Sequence, residues 1–578
     1  MRHELLTRWG RELDPGSVLQ EYPRPQLVRD SYLNLNGWWD YAVLPASAAP
    51  PRQYDGRILV PFSPEAPLSG VGRQLQRHER LRYRRRVELP DGFVPLGGRL
   101  LLHFGAVDQT CTVLVDDVEV GRNLGGYLPF SCDVTDALRS GGGELVVDVR
   151  DLSDGHQHAS GKQRLNRGGI WYTAQSGIWQ TVWLEAVPEL YVDRLTLVPQ
   201  LAEGSVEVTV HAAGGSARVR LDGTETRLEV NVPTRLPVRD VRPWTPDDPH
   251  LYDLEVDLGE DRVRSYVALR SFAVGPDAHG VPRLLLNGAP YLHVGVLDQG
   301  YWPDGLLTAP SDAAMVHDIA TMKDLGFTML RKHLKVEPLR WYHHCDRLGM
   351  LVWQDLVNGG GRYRTAAVTW PGRYPIRLDD TRHRRPLGRA DPAGRRLFRS
   401  ETRRTVEHLR NVPSLATWVA FNEGWGQFDA NETAAELVRL DGTRIVDQAS
   451  GWHDQSGGDL HSLHAYGRRV RIPRRRDRRA VALSEYGGHQ LPLTGHVYDD
   501  EHAFGYGEEH SSAALARSFL RLHERVAEQV RAGLGATVYT QLSDVEDEVN
   551  GLLTYDRELL KVDPALVRKA LRLLRLPD

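Results

Sequence analysis

Along the first third of the chain, apolar positions recur at every second residue in short runs: NLNGWWDYAV (34–43), RLLLHFGAV (99–107), CTVLVDDVEVG (111–121), GELVVDV (143–149) and GIWQTVWLEAV (177–187). A period of two marks a half-buried strand, and the Gly, Asp and Asn between the runs supply turns. This pattern predicts a jelly-roll or related β-sandwich over residues 1–188. Alternation continues through YVDRLTLVP, SVEVTVHAA, ARVRLDG and HLYDLEVDLG to RSFAVG (270–275), with a Pro-rich turn at 243–252, and predicts an immunoglobulin-like sandwich over 189–275. After Asn287-Gly288 the pattern changes to near-continuous apolar runs at 291–297, 327–333, 350–356, 416–423, 443–449, 460–466, 480–486 and 536–542. Stretches of helical period, such as DAAMVHDIATMKDLG and EPLRWYHHCDRLG, separate the first of them. Eight such strands with helices between them predict a (β/α)8 TIM barrel over 276–578, with its site at the carboxyl ends of the strands.

Composition changes this picture little. A chain of 578 residues, 41% hydrophobic and 26% charged with net charge -4, reads as a globular protein of two to four domains with no nucleic-acid partner. No apolar leader precedes the first charges, and no run of uncharged apolar residues is long enough to span a bilayer, so a cytoplasmic protein with no membrane partner is expected. Cys111, Cys132 and Cys345 are odd in number and widely spaced, which reads as reduced core residues.

The chemistry concentrates in the barrel. ATWVAFNE ends an apolar run on Glu423, and ALSEYGGH ends another on Glu485. Burying a carboxylate is costly unless something pairs with it. Two glutamates on facing walls of one barrel mouth form the pair that glycosidic cleavage needs, one protonating the leaving oxygen and the other attacking the anomeric carbon or activating water. Carboxyl groups about 5–5.5 Å apart give retention, and a wider gap gives inversion.

These residues have a context. EYPRPQLVRDSYLNLNGWWDY (21–41), GGYLPFSCDVTDAL (125–138), SGIWQTVWLE (176–185), LNGAPYLHVGVLDQGYWPDG (286–305) and LGFTMLRKHLKVEPLRWYHHCDRLGMLVWQDL (325–356), then NE and SEYG, resemble glycoside hydrolase family two in the family's order. That family contains β-galactosidases, β-glucuronidases and β-mannosidases. The resemblance implies Glu423 as acid/base, Glu485 as nucleophile, Asn422 on the sugar 2-hydroxyl, Tyr466 as hydrogen-bond donor to the nucleophile and Arg331 as its cationic neighbour. It implies a carbohydrate substrate and no required cofactor, although some members bind magnesium or sodium, and dimers or tetramers are common.

Further cleft candidates at strand ends are Asp298, Gln299, Trp302, Lys332, His333, Trp353, Asp355, Trp425, His464 and Gln541, since sugars offer apolar ring faces as well as hydroxyls. His453, His461, His464 and His489 lack the spacing of a zinc site. QLSDVEDEVNG (541–551) reads as a solvated acidic loop opening the last helix, with Asp544 or Glu546 in reach of substrate or a cation. The Gly- and Arg-rich insertion at 356–400 reads as a lid or subunit contact, and GRRVRIPRRRDRRA (467–480) as a solvated basic face. NEGWGQ stands where many family members have Asn-Glu-Pro, and no Asn is followed two residues later by Lys, the element with which β-glucuronidases read a carboxylate. A retaining exo-β-glycosidase acting on a neutral β-galactoside is therefore the first expectation. β-Mannoside, β-glucuronide and α-L-arabinopyranoside substrates, a transglycosylase and a non-catalytic carbohydrate binder are the alternatives.

Overall fold

The computed structural model describes residues 5–139, 141–374, 376–467, 470–473, 477–499 and 501–577. The first region is a sandwich of two antiparallel sheets. Six strands run in the order Gly56–Val60, Gly37–Pro45, Glu79–Glu88, Gly142–Arg150, Thr110–Val115 and Val118–Leu124, and four in the order Tyr32–Asn34, Val182–Val187, Arg99–Phe104 and Phe130–Asp133. Their alternate apolar residues, among them Trp39, Leu81, Phe104, Val113, Val147 and Leu184, meet between the sheets. A second sandwich pairs three strands (Arg194–Gln200, Ser205–His211, Thr234–Pro237) with four (Thr224–Glu229, Ser216–Leu221, Tyr252–Leu258, Asp261–Val267) around Val206, Val208, Val219, Leu254 and Val256. The hairpin Phe272–Pro276/Pro282–Leu286 spans residue 275 and packs Leu284 and Leu286 with barrel residues such as Leu297 and Met329.

Eight parallel strands form the barrel: β1 His293–Asp298, β2 Met329–Lys332, β3 Leu351–Asp355, β4 Leu415–Val419, β5 Ile445–Asp447, β6 Leu460–Ala465, β7 Ala480–Gly487 and β8 Leu534–Thr540. They pair in the order 5-4-3-2-1-8-7-6. The seam between β5 and β6 has no ladder; Asp459 bridges it, its N–H donating to the Val446 carbonyl and its carboxylate accepting from the Val446 N–H, both at 2.8 Å. Helices follow β1 (Asp312–Leu325), β2 (Leu339–Leu348), β3 (Pro392–Leu409), β4 (Ala430–Leu440), β7 (Ser512–Ala532) and β8 (Pro564–Leu571). Local chemistry sets their ends: the Ser311 hydroxyl accepts from the Ala314 N–H at 3.1 Å, and Gly326 at φ 101° stops the helix in the left-handed region. The expected helices between β5 and β6 and between β6 and β7 are absent among the described residues. Arg468, Arg469 and Arg474 to Arg476 of the basic stretch lie outside the described residues. No helix among the described residues is long and apolar enough to cross a membrane.

The first sandwich reaches the barrel mouth. Its segment 158–173 is fastened to the loop after β3, where Ser160 N donates to Asn358 O at 2.9 Å, and to the loop after β8, where Glu546 accepts the Thr173 N–H at 3.0 Å and Glu548 accepts from the Tyr172 hydroxyl. The acidic stretch 541–551 is therefore a buried strut and not a solvated loop, and the last helix begins later, at Pro564. Asp544 is held by Lys561 Nζ at 2.6 Å and the Gly551 N–H at 2.8 Å, which corrects the expectation that it reaches substrate.

Candidate active site

β4 ends at Val419, and the chain then turns across the mouth. The Glu423 N–H donates to Ser450 O at 2.9 Å, and Glu423 sits at φ 49°, a left-handed conformation rare for a residue with a side chain. Gly424 follows at φ 74°, where a Cβ would lie 2.7 Å from the His453 ring. Proline is fixed near φ −65°, so this turn excludes the Asn-Glu-Pro form. Glu485 lies within β7. The nearest ligand atoms of Glu423, His464 and Glu485 all fall within 4.8 Å of one another, the close spacing of a retaining carboxylate pair.

Their surroundings push the two carboxyls apart. Glu485 accepts from Arg331 Nη1 at 3.1 Å and from the Tyr466 hydroxyl at 2.7 Å, and that hydroxyl also meets Thr540 Oγ1 at 2.7 Å. Burial alone would raise the Glu485 pKa, but the electrostatic influence of His464, Arg331, His333 and Lys162 outweighs it and holds the group at about 2. Glu423 is raised above the usual carboxylate range, first by burial and then by the negative charge of Glu485, against the lowering effect of a hydrogen bond from His464. His464 joins the pair: its Nδ1 is 2.9 Å from Glu423 Oε1 and 3.5 Å from Glu485 Oε2, and its Nε2 is 2.9 Å from Ser450 Oγ. Two carboxyls at this spacing whose pKa values are pushed in opposite directions make the arrangement of an acid next to a nucleophile.

Several expected residues converge here. Arg331 is wholly buried and also donates to Asp355 (3.0 and 3.1 Å), the Ser484 carbonyl (2.9 Å) and Asn422 Oδ1 (2.9 Å), leaving Asn422 Nδ2 without a protein acceptor among the described residues. His333 Nδ1 is 2.7 Å from Asp355 Oδ2, and burial lowers its pKa to about 4. Trp425 lies against Trp171 (ring centres 5.1 Å) and His333 (6.4 Å). Gln541 donates its Nε2–H to Asn550 Oδ1 at 2.7 Å and keeps a free Oε1; Gln299 is buried with both amide atoms unpaired, and no contact among the described residues ties it to the carboxylate pair.

Four expected cleft residues go elsewhere. Asp298 and Lys332 pair at 2.7 Å outside the barrel wall, where Lys332 also binds Glu337 and lies 4.3 Å from the Trp341 ring. Trp353 is fully buried in the barrel core and donates its N–H to His293 at 2.9 Å. Trp302 stacks under the Arg557 guanidinium at 4.2 Å and packs on Trp9. Of the other histidines, His453 is spent on the Ala367 carbonyl and the Leu378 N–H, and His489 lies 3.0 Å from Glu509. Sequence reasoning missed Lys162 and Trp171, carried here by the first sandwich, and Tyr506, whose ring stacks on Tyr466 at 3.7 Å. The aromatics after the glycine pair in RGGIWY were the one available signal, and for Trp171 alone.

Residues 190–270 match the pattern of glycosyl hydrolases family 2. The chain is 24% identical over 486 residues to a β-galactosidase of Photobacterium profundum, covering 74% of this chain and 43% of that protein. It is 22% identical to a β-galactosidase of Thermoanaerobacter pseudethanolicus, covering 68% and 52%. The chain thus spans about half or less of the length of these curated relatives. In structure it resembles a β-D-glucuronidase of Dictyoglomus thermophilum (TM-score 0.74, 17% identity, 96% of this chain and 99% of that one). It also resembles a β-galacturonidase of Eisenbergiella tayi (TM-score 0.71, 18% identity, 96% and 98%). The match to the family's pattern over residues 190–270 and the likeness in fold to these solved structures make the chain similar to glycosyl hydrolases family 2.

Proposed function

We propose that the protein is a retaining exo-β-glycosidase with Glu485 as nucleophile and Glu423 as acid/base. The observation that carries this is the pair of carboxyls at close range with opposed electrostatics, the Glu485 pKa lowered and the Glu423 pKa raised. In the first step a Glu485 oxygen attacks the anomeric carbon while Glu423 gives its proton to the departing glycosidic oxygen. Esterification removes the negative charge of Glu485 and with it one of the causes that raise Glu423. Glu423, left as a carboxylate by the proton transfer, takes a proton from the water that attacks the anomeric carbon and releases Glu485, and so ends the cycle protonated again. Tyr466 and Arg331 hold the nucleophile in line, and Asn422, its Oδ1 fixed by Arg331, offers its free Nδ2 to the sugar 2-hydroxyl. No metal is needed for these steps. The atoms that could ligate one, on Glu423, His464 and Glu485, are the reacting groups themselves.

The galacto ring configuration, with either a neutral or an acidic C6 group, is the first to test, which the β-galactosidase relatives support. The test is a panel of nitrophenyl glycosides combined with Glu485→Ala and azide. Turnover by the native protein, its loss in the variant and an α-glycosyl azide product support the reading. A fully active Glu485→Ala variant would overturn the nucleophile assignment.

A further inference from the structure

Six lysines occur in the chain, and four of them are buried: Lys162, Lys332, Lys335 and Lys561. Three are fully engaged. Lys332 Nζ donates to Asp298 and Glu337, both at 2.7 Å; Lys335 Nζ to Glu337 at 2.8 Å and the Gly300 and Leu307 carbonyls at 2.7 and 2.8 Å; Lys561 Nζ to Asp544 at 2.6 Å and the Val549 carbonyl at 3.0 Å. Lys162 differs. Only 6% exposed, its ammonium has no hydrogen bond and no ion pair among the described residues. It rests between two ring faces, 5.4 Å from the Trp425 centre and 5.6 Å from that of Tyr172. The two aromatic rings give the cation about a kcal/mol or two and leave its N–H donors without a protein acceptor among the described residues.

The position of Lys162 is built and not accidental. Gly161, at φ 55° and too close to the Leu334 carbonyl for a Cβ (2.8 Å), lets the segment press onto the barrel. The Ser160 and Gly161 N–H groups donate to Asn358 O at 2.9 and 3.1 Å, and the next side chain, Gln163, is pinned to Asp108 (3.0 Å) and Tyr127 (2.8 Å). The ammonium thus faces the catalytic pair from the first sandwich, near enough for its charge to act on Glu423, Glu485 and His333. Trp425, on which it rests, is two residues beyond Glu423.

We propose that Lys162 is the recognition point for a carboxylate on the substrate, so that the glycoside taken is a uronide and not a neutral sugar. This deepens the glycosidase reading and rests on it for the site's identity. A single ammonium between two ring faces suits a monoanion. Among the described residues the other cations near the mouth have acceptors: Arg331 has Asp355 and Glu485, Arg389 the Gly426 carbonyl, Arg384 and Arg399 Asp429, Arg167 Asp547 and Arg164 the Gln163 carbonyl. The arginine-rich insertion therefore does not supply the clamp through these residues, and the missing Asn-x-Lys element is replaced from another domain.

The test is calorimetric titration of the intact protein with D-galacturonic acid, D-glucuronic acid and D-galactose, beside kcat/KM on the matching nitrophenyl β-glycosides. The native protein is expected to favour a uronic acid over galactose at least about 10-fold, and Lys162→Met to cut that preference about 10- to 100-fold, the worth of one charge-assisted hydrogen bond. Lys162→Arg, which keeps the charge, is expected to restore part of it and guards against a folding defect in the Met variant. An acid-to-neutral ratio unchanged by Lys162→Met, or galactose bound as tightly as either acid, would overturn the proposal. Because binding is read without turnover, an absence of hydrolysis beside Lys162-dependent acid binding would count against the glycosidase reading alone.

Discussion

Glu185 and Glu485 are both buried against arginines, and they are put to opposite uses. Glu185, at the junction of the two sandwiches, accepts from the Tyr22 hydroxyl, Arg24 Nη2, Arg29 Nη1 (3.1 Å) and Trp183 Nε1 (3.2 Å), while Arg29 also grips Asp261 at 2.8 Å. Burial would raise its pKa, but Arg24, His103 and Arg29 hold it well below the usual carboxylate range. Glu485 is equally buried and also lowered, yet it has two strong donors, a second carboxyl within 4.8 Å and a side that remains open to the mouth. Every lone pair of Glu185 is spent on holding two domains and the N-terminal segment together. Glu485 keeps a reactive lone pair, and the crowding of Glu423 is what that availability costs.

The contrast is broken most visibly at Glu485. Glu485→Ala is expected to lower kcat at least about 10⁴-fold while leaving the melting temperature nearly unchanged, because Arg331 keeps Asp355, Asn422 and the Ser484 carbonyl as acceptors. Activity assays and calorimetry on the same sample would show it, and a large drop in stability would place Glu485 with Glu185 as a strut. The next effect belongs to Glu423. Glu423→Gln is expected to slow natural glycosides by about 10²–10⁴-fold and nitrophenyl glycosides far less in the glycosylation step, since an activated leaving group needs little protonation. Equal losses on both substrates would deny it the acid role.

His464 sharpens the comparison, because the group that bridges two carboxyls at Glu185 is the guanidinium of Arg29, whereas an imidazole bridges Glu423 and Glu485. Its hydrogen bond and charge lower the pKa of Glu423. Replacing it with Gln should let that pKa rise, so the alkaline limb of kcat/KM is expected to move to higher pH while kcat falls through lost alignment. An unmoved limb would reduce His464 to packing.

The strands and both glutamates were legible because period and chemistry coincide: an apolar run that ends on a carboxylate has few uses. What the pattern could not supply was depth and face. On β2, Arg331 and His333 point inward to Asp355 and the nucleophile, whereas Lys332 between them points outward to Glu337 and Trp341, as a period of two requires. On β3, Trp353 shares the inward face with Asp355 but lies a layer lower, in contact with His293. Being near a strand end was thus a weaker guide than parity within the strand. Lys162 was beyond reach for another reason, since nothing local in SGKQR tells which barrel loop it will meet. The acidic loop after β8 was misread because its neutralising groups, Thr173, Tyr172 and Lys561, come from other parts of the chain.

The smallest and most specific effect separates the two glutamates by acid. Glu185 has a depressed folded-state pKa, so its contribution to stability is full above the unfolded value of about 4.3 and is lost as pH falls through the lower folded value. Glu185→Leu, of similar volume, leaves Arg24 without its carboxylate while Arg29 keeps Asp261, and is expected to cost about 3 kcal/mol at pH 7 by denaturant titration. The variant should also lose less of its remaining stability between about pH 5 and pH 3 than the native chain, having no carboxylate there to protonate. Activity per folded molecule should be kept, because Glu185 touches none of the groups around Glu423 and Glu485. A variant as stable as the native chain at pH 7 and equally sensitive to acid would show that the junction is held by apolar packing, with the ion cluster contributing nothing measurable.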